Sequence, residues 1–187
     1  EIWSEAEGCL KKAHELNDND FEVHRLMAEV NLSGRNFRVA ERHASKAYKM
    51  VPNDPRVLSV YGEVSLRLGK IDQGLDALKL ALEIDPIAQG KTNSDSRTAP
   101  VLFGEYLARN KDNCLELVEK LEDIDPKSWL LTAKLCSDEE HDMTEEDWYK
   151  RGKEEFNDKD WAAEVDSFRL NNEGAKESLI EFAESLF

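Results

Sequence analysis

The sequence lacks the features of a membrane-spanning or disulfide-bonded protein. It has no run of about 18 apolar residues and no signal-peptide pattern. Its three cysteines, Cys9, Cys114 and Cys136, are widely spaced and odd in number. Their positions on predicted apolar helix faces indicate small buried thiols and a reducing compartment. We therefore expect a soluble, cytoplasmic protein.

Motifs for catalysis and metal binding are also missing. No convergent spacing relates the four histidines, which are His14, His24, His43 and His141. Neither the histidines nor the cysteines follow a zinc-ligand pattern. The chain has no phosphate-binding glycine loop, no nucleophile elbow and no zinc helix motif. We expect a protein that is not an enzyme and that uses no metal and no cofactor.

Basic residues are few relative to acidic ones. The chain has 25 Lys and Arg against 40 Asp and Glu, a net charge of −15. Residues 1–118 contain 16 basic and 19 acidic residues, whereas residues 119–187 contain 9 and 21, so the net charges are −3 and −12. This balance excludes a nucleic-acid partner, which needs the opposite sign. The negative charge favours a basic partner; the alternative is that it only keeps the protein soluble.

The most informative pattern is a block that recurs every 34 residues. It covers residues 6–18, 40–52 and 74–86, which align without a gap. Within it, small and apolar residues recur at helical spacing: Leu10, Ala44 and Leu78, then Ala13, Ala47 and Ala81. A 34-residue period with one apolar stripe predicts helix-turn-helix units, each burying its apolar face against its neighbours.

A second amphipathic segment precedes two of these helices, at residues 21–33 and 55–68. Met27-Ala28 and Tyr61-Gly62 place a large side chain beside a small one at matching positions, which lets two helices approach closely. Gly34 and Gly69 follow these segments, where a residue that accepts positive φ ends a helix at low cost.

Several of these residues match the pattern of one family. The matching motifs are Tyr61-Gly62, Leu68-Gly69-Lys70, Ala77, Ala81 and the string LEIDP from Leu82 to Pro86. On these residues the chain resembles the tetratricopeptide-repeat (TPR) proteins. The resemblance implies an all-α fold, a right-handed α-solenoid of helix-turn-helix repeats, which we expect to end in degenerate C-terminal capping helices.

The repeats predict the domain organisation. TPR-like repeats cover residues 1–137, with a half repeat at 1–20, full repeats at 21–54 and 55–86, a divergent repeat at 87–126 and a capping helix at 127–137. The divergent repeat contains an inserted loop at residues 87–98. An acidic, degenerate helical region at 138–187 continues the solenoid. Its large aromatic residues either cover the last repeat or bind another protein: Trp148, Trp161, Phe168, Phe182 and Phe187.

In the TPR family the first helix of each repeat lines a concave groove that binds an extended peptide or a partner helix. The resemblance places seven residues there: Arg25, Glu29, Leu32, Ser59, Glu63, Leu66 and Arg67. Glu29 and Glu63 stand where family members that clamp a terminal carboxylate have amide or cationic side chains, so we expect no such clamp. Two acids one repeat apart favour a basic peptide. Alternatively, they only form surface pairs with Arg25 and Arg67.

The sequence therefore predicts a non-catalytic protein–protein interaction scaffold that binds a peptide or partner helix, and the acidic groove positions favour a basic ligand. The alternative is the repeat module of a larger multidomain regulatory protein or enzyme, such as a cyclase, transferase or secretion component, that mediates self-assembly or regulation. A homo-oligomer through exposed solenoid ends is a further expectation, because the half repeat leaves Ile2, Trp3 and Leu10 without a covering helix.

Overall fold

The structure is a computed structural model that describes residues 2–85, 98–121, 123–168, 170 and 172–187, with residues 2–7 described by their helical backbone alone. This part of the chain forms eleven helices and no strand, so the prediction of an all-α protein is confirmed. The helices are α1 (Ile2–Leu16), α2 (Phe21–Ser33), α3 (Phe37–Met50), α4 (Pro55–Arg67), α5 (Ile71–Ile84), α6 (Thr98–Leu107), α7 (Lys111–Glu119), α8 (Pro126–Asp138), α9 (Asp147–Glu155), α10 (Trp161–Ser167) and α11 (Glu173–Leu186). Among the described residues, no helix is both long and apolar enough to cross a membrane. The predicted loop at 87–98 lies outside them except for Thr98, as do the side chains of Ile2 and Trp3.

The chain forms two compact units, Glu1–Ala88 and Gln89–Phe187. In the first unit each helix packs on the next one in sequence, and α2 also contacts α4. In the second unit α6, α7, α8 and α9 pack in the same consecutive way, α10 packs on α11, and α8 contacts both α6 and α10. Contacts between consecutive helices and between alternate helices are consistent with an α-solenoid of paired helices. The residue boundaries of the individual repeats stay a prediction.

Helix starts use two chemistries. Four helices that begin a pair, α2, α4, α8 and α10, start after Asp20, Asp54, Asp125 and Asp160, and each aspartate accepts a hydrogen bond from a first-turn backbone N–H. The second helices α3, α5, α7 and α9 begin without a side-chain cap, after Asn36, Lys70, Asn110 and Glu146, whereas α11 is capped by Asn172. Because the first N–H groups of a helix have no intrahelical acceptor, the aspartates stabilise the starts of the first helices.

The turns inside the pairs also repeat. A residue with positive φ follows each of α2, α4, α6 and α8: Arg35 at 59°, Gly69 at 76°, Arg109 at 59° and Glu140 at 54°. The prediction was therefore right for Gly69 and wrong for Gly34, whose φ is −80°. Arg35, one residue later, adopts the left-handed conformation at the position that corresponds to Gly69. A non-glycine residue there is less favourable, since its Cβ crowds the backbone.

Small residues allow close helix contact in the first unit. A Cβ added at Gly62 on α4 would lie 2.9 Å from the carbonyl oxygen of Gly74 on α5. The backbones of the two helices therefore approach each other directly, as the Tyr61-Gly62 pair predicts. The neighbouring core between α2, α3 and α4 consists of Ala28, Leu32, Ala40, Ala44, Val60 and Val64.

The core of the second unit centres on α8. Trp129, Leu130, Leu131 and Leu135 of this helix are fully buried, and α8 contacts α6, α7, α9, α10 and α11. The aromatic residues predicted either to cover the core or to bind another protein are mostly inside the unit: Trp148 is 1% exposed, Trp161 5% and Phe168 2%, whereas Phe187 is 47% exposed. Burial of the three inner rings favours the covering role.

Candidate functional site

The predicted groove residues Arg25 and Glu29 belong to one ion-pair network on α2. The Arg25 guanidinium donates to both carboxylate oxygens of Glu22, from Nε at 2.9 Å and from Nη2 at 2.7 Å, and Nη1 donates to Glu29. The Arg25 side chain is 11% exposed, so it is held between the two acids. A two-point arginine–carboxylate contact is among the stronger ion pairs, because its geometry is fixed.

Residues at the start of α4 extend this network. Arg56 Nη1 lies 3.5 Å from Glu22 Oε1, and Arg56 Nη2 donates to Asp54 Oδ2 at 2.9 Å. Arg56 occupies in α4 the repeat position that Glu22 occupies in α2, 34 residues earlier. We call Glu22, Arg25, Glu29, Asp54 and Arg56 the acid–arginine network. It joins the first helices of two successive pairs.

The Glu29 carboxyl has a perturbed pKa. Burial raises this pKa; Arg25 opposes the rise, while the negative charges of Glu22 and Glu63 add to it. The Glu29 side chain is still 42% exposed. A partly desolvated acid beside two other acids is stabilised by an additional cation.

The remaining predicted groove residues have different environments. Leu32 is 9% exposed and belongs to the core of α2, α3 and α4. Leu66 is 3% exposed and packs against Gly74 on α5. Ser59 is half-buried and its Oγ donates to the carbonyl of Pro55 at 2.7 Å, while Arg67 is half-buried. The two leucines thus fill the interior, and charged side chains form most of the predicted site.

A histidine cluster that the sequence analysis missed lies in the first unit. The rings of His14, His24 and His43 come from α1, α2 and α3, and their centroids are 5.1, 5.1 and 5.8 Å apart. The expectation of no convergence is therefore wrong for these three residues. The repeat register contained a signal, since they occupy the positions that Tyr48, Leu58 and Ala77 occupy 34 residues later. No group of three or more His, Cys, Asp or Glu in the described part of the chain is arranged to hold a metal ion.

His24 and His43 are hydrogen-bonded and deeply buried, and burial sets the direction of their pKa shifts. The Nδ1 atoms of His24 and His43 are 2.8 Å apart, and His24 Nε2 lies 2.9 Å from the carbonyl oxygen of Asp18. His24 and His43 are 1% and 6% exposed. Burial lowers the pKa of both imidazoles, that of His43 to about 4, and the positive charge of Lys46 acts in the same direction. His24 and His43 are therefore neutral at neutral pH.

The second unit contains a cavity of about 640 Å³ beside α7 and α9. Charged residues and one tryptophan line it: Glu119, Glu145, Glu146, Asp147, Trp148, Lys150, Arg151 and Glu154. Lys150 Nζ is 2.9 Å from Glu145 Oε2. This is an acidic surface with internal ion pairs.

The cysteines divide into two environments. Cys114 and Cys136 are buried as predicted, and burial raises the pKa of their thiols to about 12 and about 11. Such thiols are protonated and unreactive at neutral pH. Cys9 is exposed, so the prediction that it is buried is wrong. Its position lies on the side of α1 that faces away from the packed neighbours.

Comparisons with known proteins assign no family to the chain. No family model matches it. A curated relative, the cellulose synthase operon protein C of Pseudomonas fluorescens (strain SBW25), is 28% identical over 102 residues. The match covers 51% of this chain and 8% of that protein, so the similarity is to a small part of a much longer chain.

Proposed function

We propose that this chain is a TPR-like α-solenoid that acts as a non-catalytic scaffold and binds a partner peptide or helix on the face formed by α2 and α4. The observation that carries the proposal is the acidic surrounding of Glu29, whose pKa is raised by burial and by the negative charges of Glu22 and Glu63, on helices α2 and α4 that contact each other. The aspartate caps of α2, α4, α8 and α10 and the repeated positive-φ turns support the repeat assignment.

The partner that this face favours is basic. The pKa of Glu29 is raised because the carboxylate is partly desolvated and has acidic neighbours. A lysine or arginine placed between Glu29 and Glu63 would relieve that unfavourable charge. Arg25 is already bound by Glu22 and Glu29, so a ligand cation would share rather than replace this contact. Charge complementarity of this kind contributes to specificity and association rate more than to affinity.

Charge reversal tests the proposal. The Glu29→Lys, Glu63→Lys variant is compared with Asp76→Lys, Glu83→Lys, a change of equal charge at exposed positions of α5. Both variants and the wild type are titrated with a library of lysine- and arginine-rich peptides at low and high salt. We expect the groove variant alone to lose binding. Equal binding by both variants would reject this face as the site, and the library would then be used to map binding elsewhere.

A second candidate is that this chain is the repeat module of a larger regulatory protein. The relative supports it, because the aligned segment is only 8% of that protein. In this case the module would position a neighbouring domain or mediate self-association. Analytical ultracentrifugation across a concentration series distinguishes self-association from peptide binding, since only the former changes the sedimentation coefficient without a ligand.

A further inference from the structure

The histidine cluster occupies a packing position that is apolar in the following repeat. Tyr48, Leu58 and Ala77 are the residues 34 positions after His14, His24 and His43. Leu58 and Ala77 are buried together, and Tyr48 packs against them. The fold therefore accepts apolar side chains at this junction, so three imidazoles are not a requirement of the architecture. Their presence adds a property that the apolar equivalent lacks, namely the capacity to bind protons.

The hydrogen bonds assign the protons in the neutral cluster. The carbonyl of Asp18 only accepts, so His24 Nε2 must donate to it. The Nδ1 atom of neutral His24 is then an acceptor, and His43 Nδ1 donates to it across 2.8 Å. When both rings are protonated, two N–H groups face each other and this bond is lost. The Nδ1 atom of His14 is buried and makes no hydrogen bond to either of these rings.

Charges around the cluster also oppose protonation. On α3, Arg42 and Lys46 act on His43 with positive charge, and His14 on α1 and His24 on α2 do so when protonated. The acid acting on His24 is Asp18, before α2. Asp18 is already engaged by Lys46, whose Nζ lies 3.6 Å from Oδ2 and donates to the backbone carbonyl at 2.7 Å. A proton added to the cluster therefore meets net repulsion.

Helix α1 meets its neighbours at these rings, since the His14 ring lies against those of His24 on α2 and His43 on α3. Helices α2, α3 and α4 share a separate core of aliphatic side chains that includes Ala28, Leu32, Ala40 and Val64. Helix α1 packs on α2 and contributes His14 to the cluster. We propose that the histidine cluster makes the docking of α1 onto α2 and α3 pH-dependent, so that protonation of the cluster releases α1 while α2–α5 stay folded.

Hydrogen exchange measured by mass spectrometry tests this proposal on the full chain at about pH 7.5 and about pH 5, with rates corrected for intrinsic exchange. We expect amides of α1 to lose at least about tenfold protection at the lower pH, while those of α4 and α5 keep theirs. Unchanged protection of α1 in the wild type would overturn the proposal. Concerted loss of protection across α1–α5 would overturn it as well, since the release would then not be local.

Two variants replace the histidines with the residues that occupy the same positions one repeat later, Tyr48, Leu58 and Ala77. His24→Leu with His43→Ala, and the same pair with His14→Tyr, insert the residues found one repeat later. We expect the pH response of α1 to disappear in them, whereas His141→Ala in the second unit leaves it intact. A persisting response would exclude the cluster as its cause.

Two measurements on the wild type require no folded variant. The proposal expects the Cε1 proton resonances of His24 and His43 to titrate over the same pH range in which α1 loses protection, and non-coincident titration would contradict it. It also expects EDTA and added Zn²⁺ to leave the exchange of α1 unchanged at about pH 7.5. A change on adding either would make the cluster a metal site and overturn the proton-based account.

Discussion

Gly152 on α9 lies directly against the indole ring of Trp129 on α8. A Cβ at position 152 would overlap the Trp129 Nε1 and Cδ1 atoms. Both residues are buried. The same nitrogen donates to the carbonyl of Tyr149 at 3.3 Å, so the ring is not free to move aside without losing this bond. The helix pair α8 and α9 therefore requires glycine at this position.

We predict that Gly152→Ala destabilises the second unit by about 1–3 kcal/mol, because overpacking forces side chains and backbone to shift. Urea unfolding followed by tryptophan fluorescence measures the change in free energy. Gly174→Ala on α11 is the control, since an added Cβ there meets only Asn172 Oδ1 at 3.4 Å. Equal effects of the two substitutions would contradict the packing argument.

The histidine cluster predicts a pH-dependent stability. The pKa of His43 is about 4 in the folded chain against an ordinary 6.5, so the unfolded chain binds more protons between these values. Stability is then fully present above about pH 6.5 and decreases as the pH falls toward about 4, by at most about 3 kcal/mol for this residue. Chemical unfolding of the wild type and of His43→Ala at several pH values measures it. Parallel curves for the two proteins would refute the assignment.

Asp20 and Asn36 precede helices with and without a side-chain cap. The Asp20 carboxylate accepts from the backbone N–H of Glu22 at 2.9 Å, whereas Asn36 makes no such bond to α3. We expect Asp20→Ala to cost about 1 kcal/mol and Asn36→Ala to cost clearly less. Thermal unfolding of both variants measures the difference. A larger cost for Asn36→Ala would argue against the alternation of capped and uncapped helices.

Arg25 compensates two carboxylates. Its hydrogen bonds to Glu22 lower the pKa of that carboxyl. Their contribution to the free energy of unfolding is therefore present above the ordinary glutamate pKa and is lost as the pH falls through the lowered pKa. We expect Arg25→Ala to destabilise the chain by about 1–3 kcal/mol at neutral pH and by less at about pH 4, where the carboxyls become protonated. The difference from the wild type is measured at each pH, which removes the histidine contribution. An effect independent of pH would show that packing of the arginine side chain dominates.

The local pattern predicts more of this fold than of its sites. Helical spacing, the aspartates before α2 and α4 and the close contact at Gly62 all depend on residues near each other in the chain or one period apart. Two predictions were wrong at single residues. Positive φ was expected at Gly34 but occurs at Arg35, and Cys9 was expected to be buried but is exposed. Glu29 and Glu63 occupy the same position of the 34-residue period, and their place in a binding groove stays a prediction. The histidine cluster was missed because its residues occupy three different repeat positions.

By itself, the sequence determined the helical class, the 34-residue period and the acidic character, since these follow from composition and from the spacing of apolar side chains along a helix. Only the tertiary structure decided which side chains meet. It placed His14, His24 and His43 in one cluster and set Trp129 against Gly152. These contacts join different helices, and their distances depend on how closely each pair of helices packs, which no local pattern specifies.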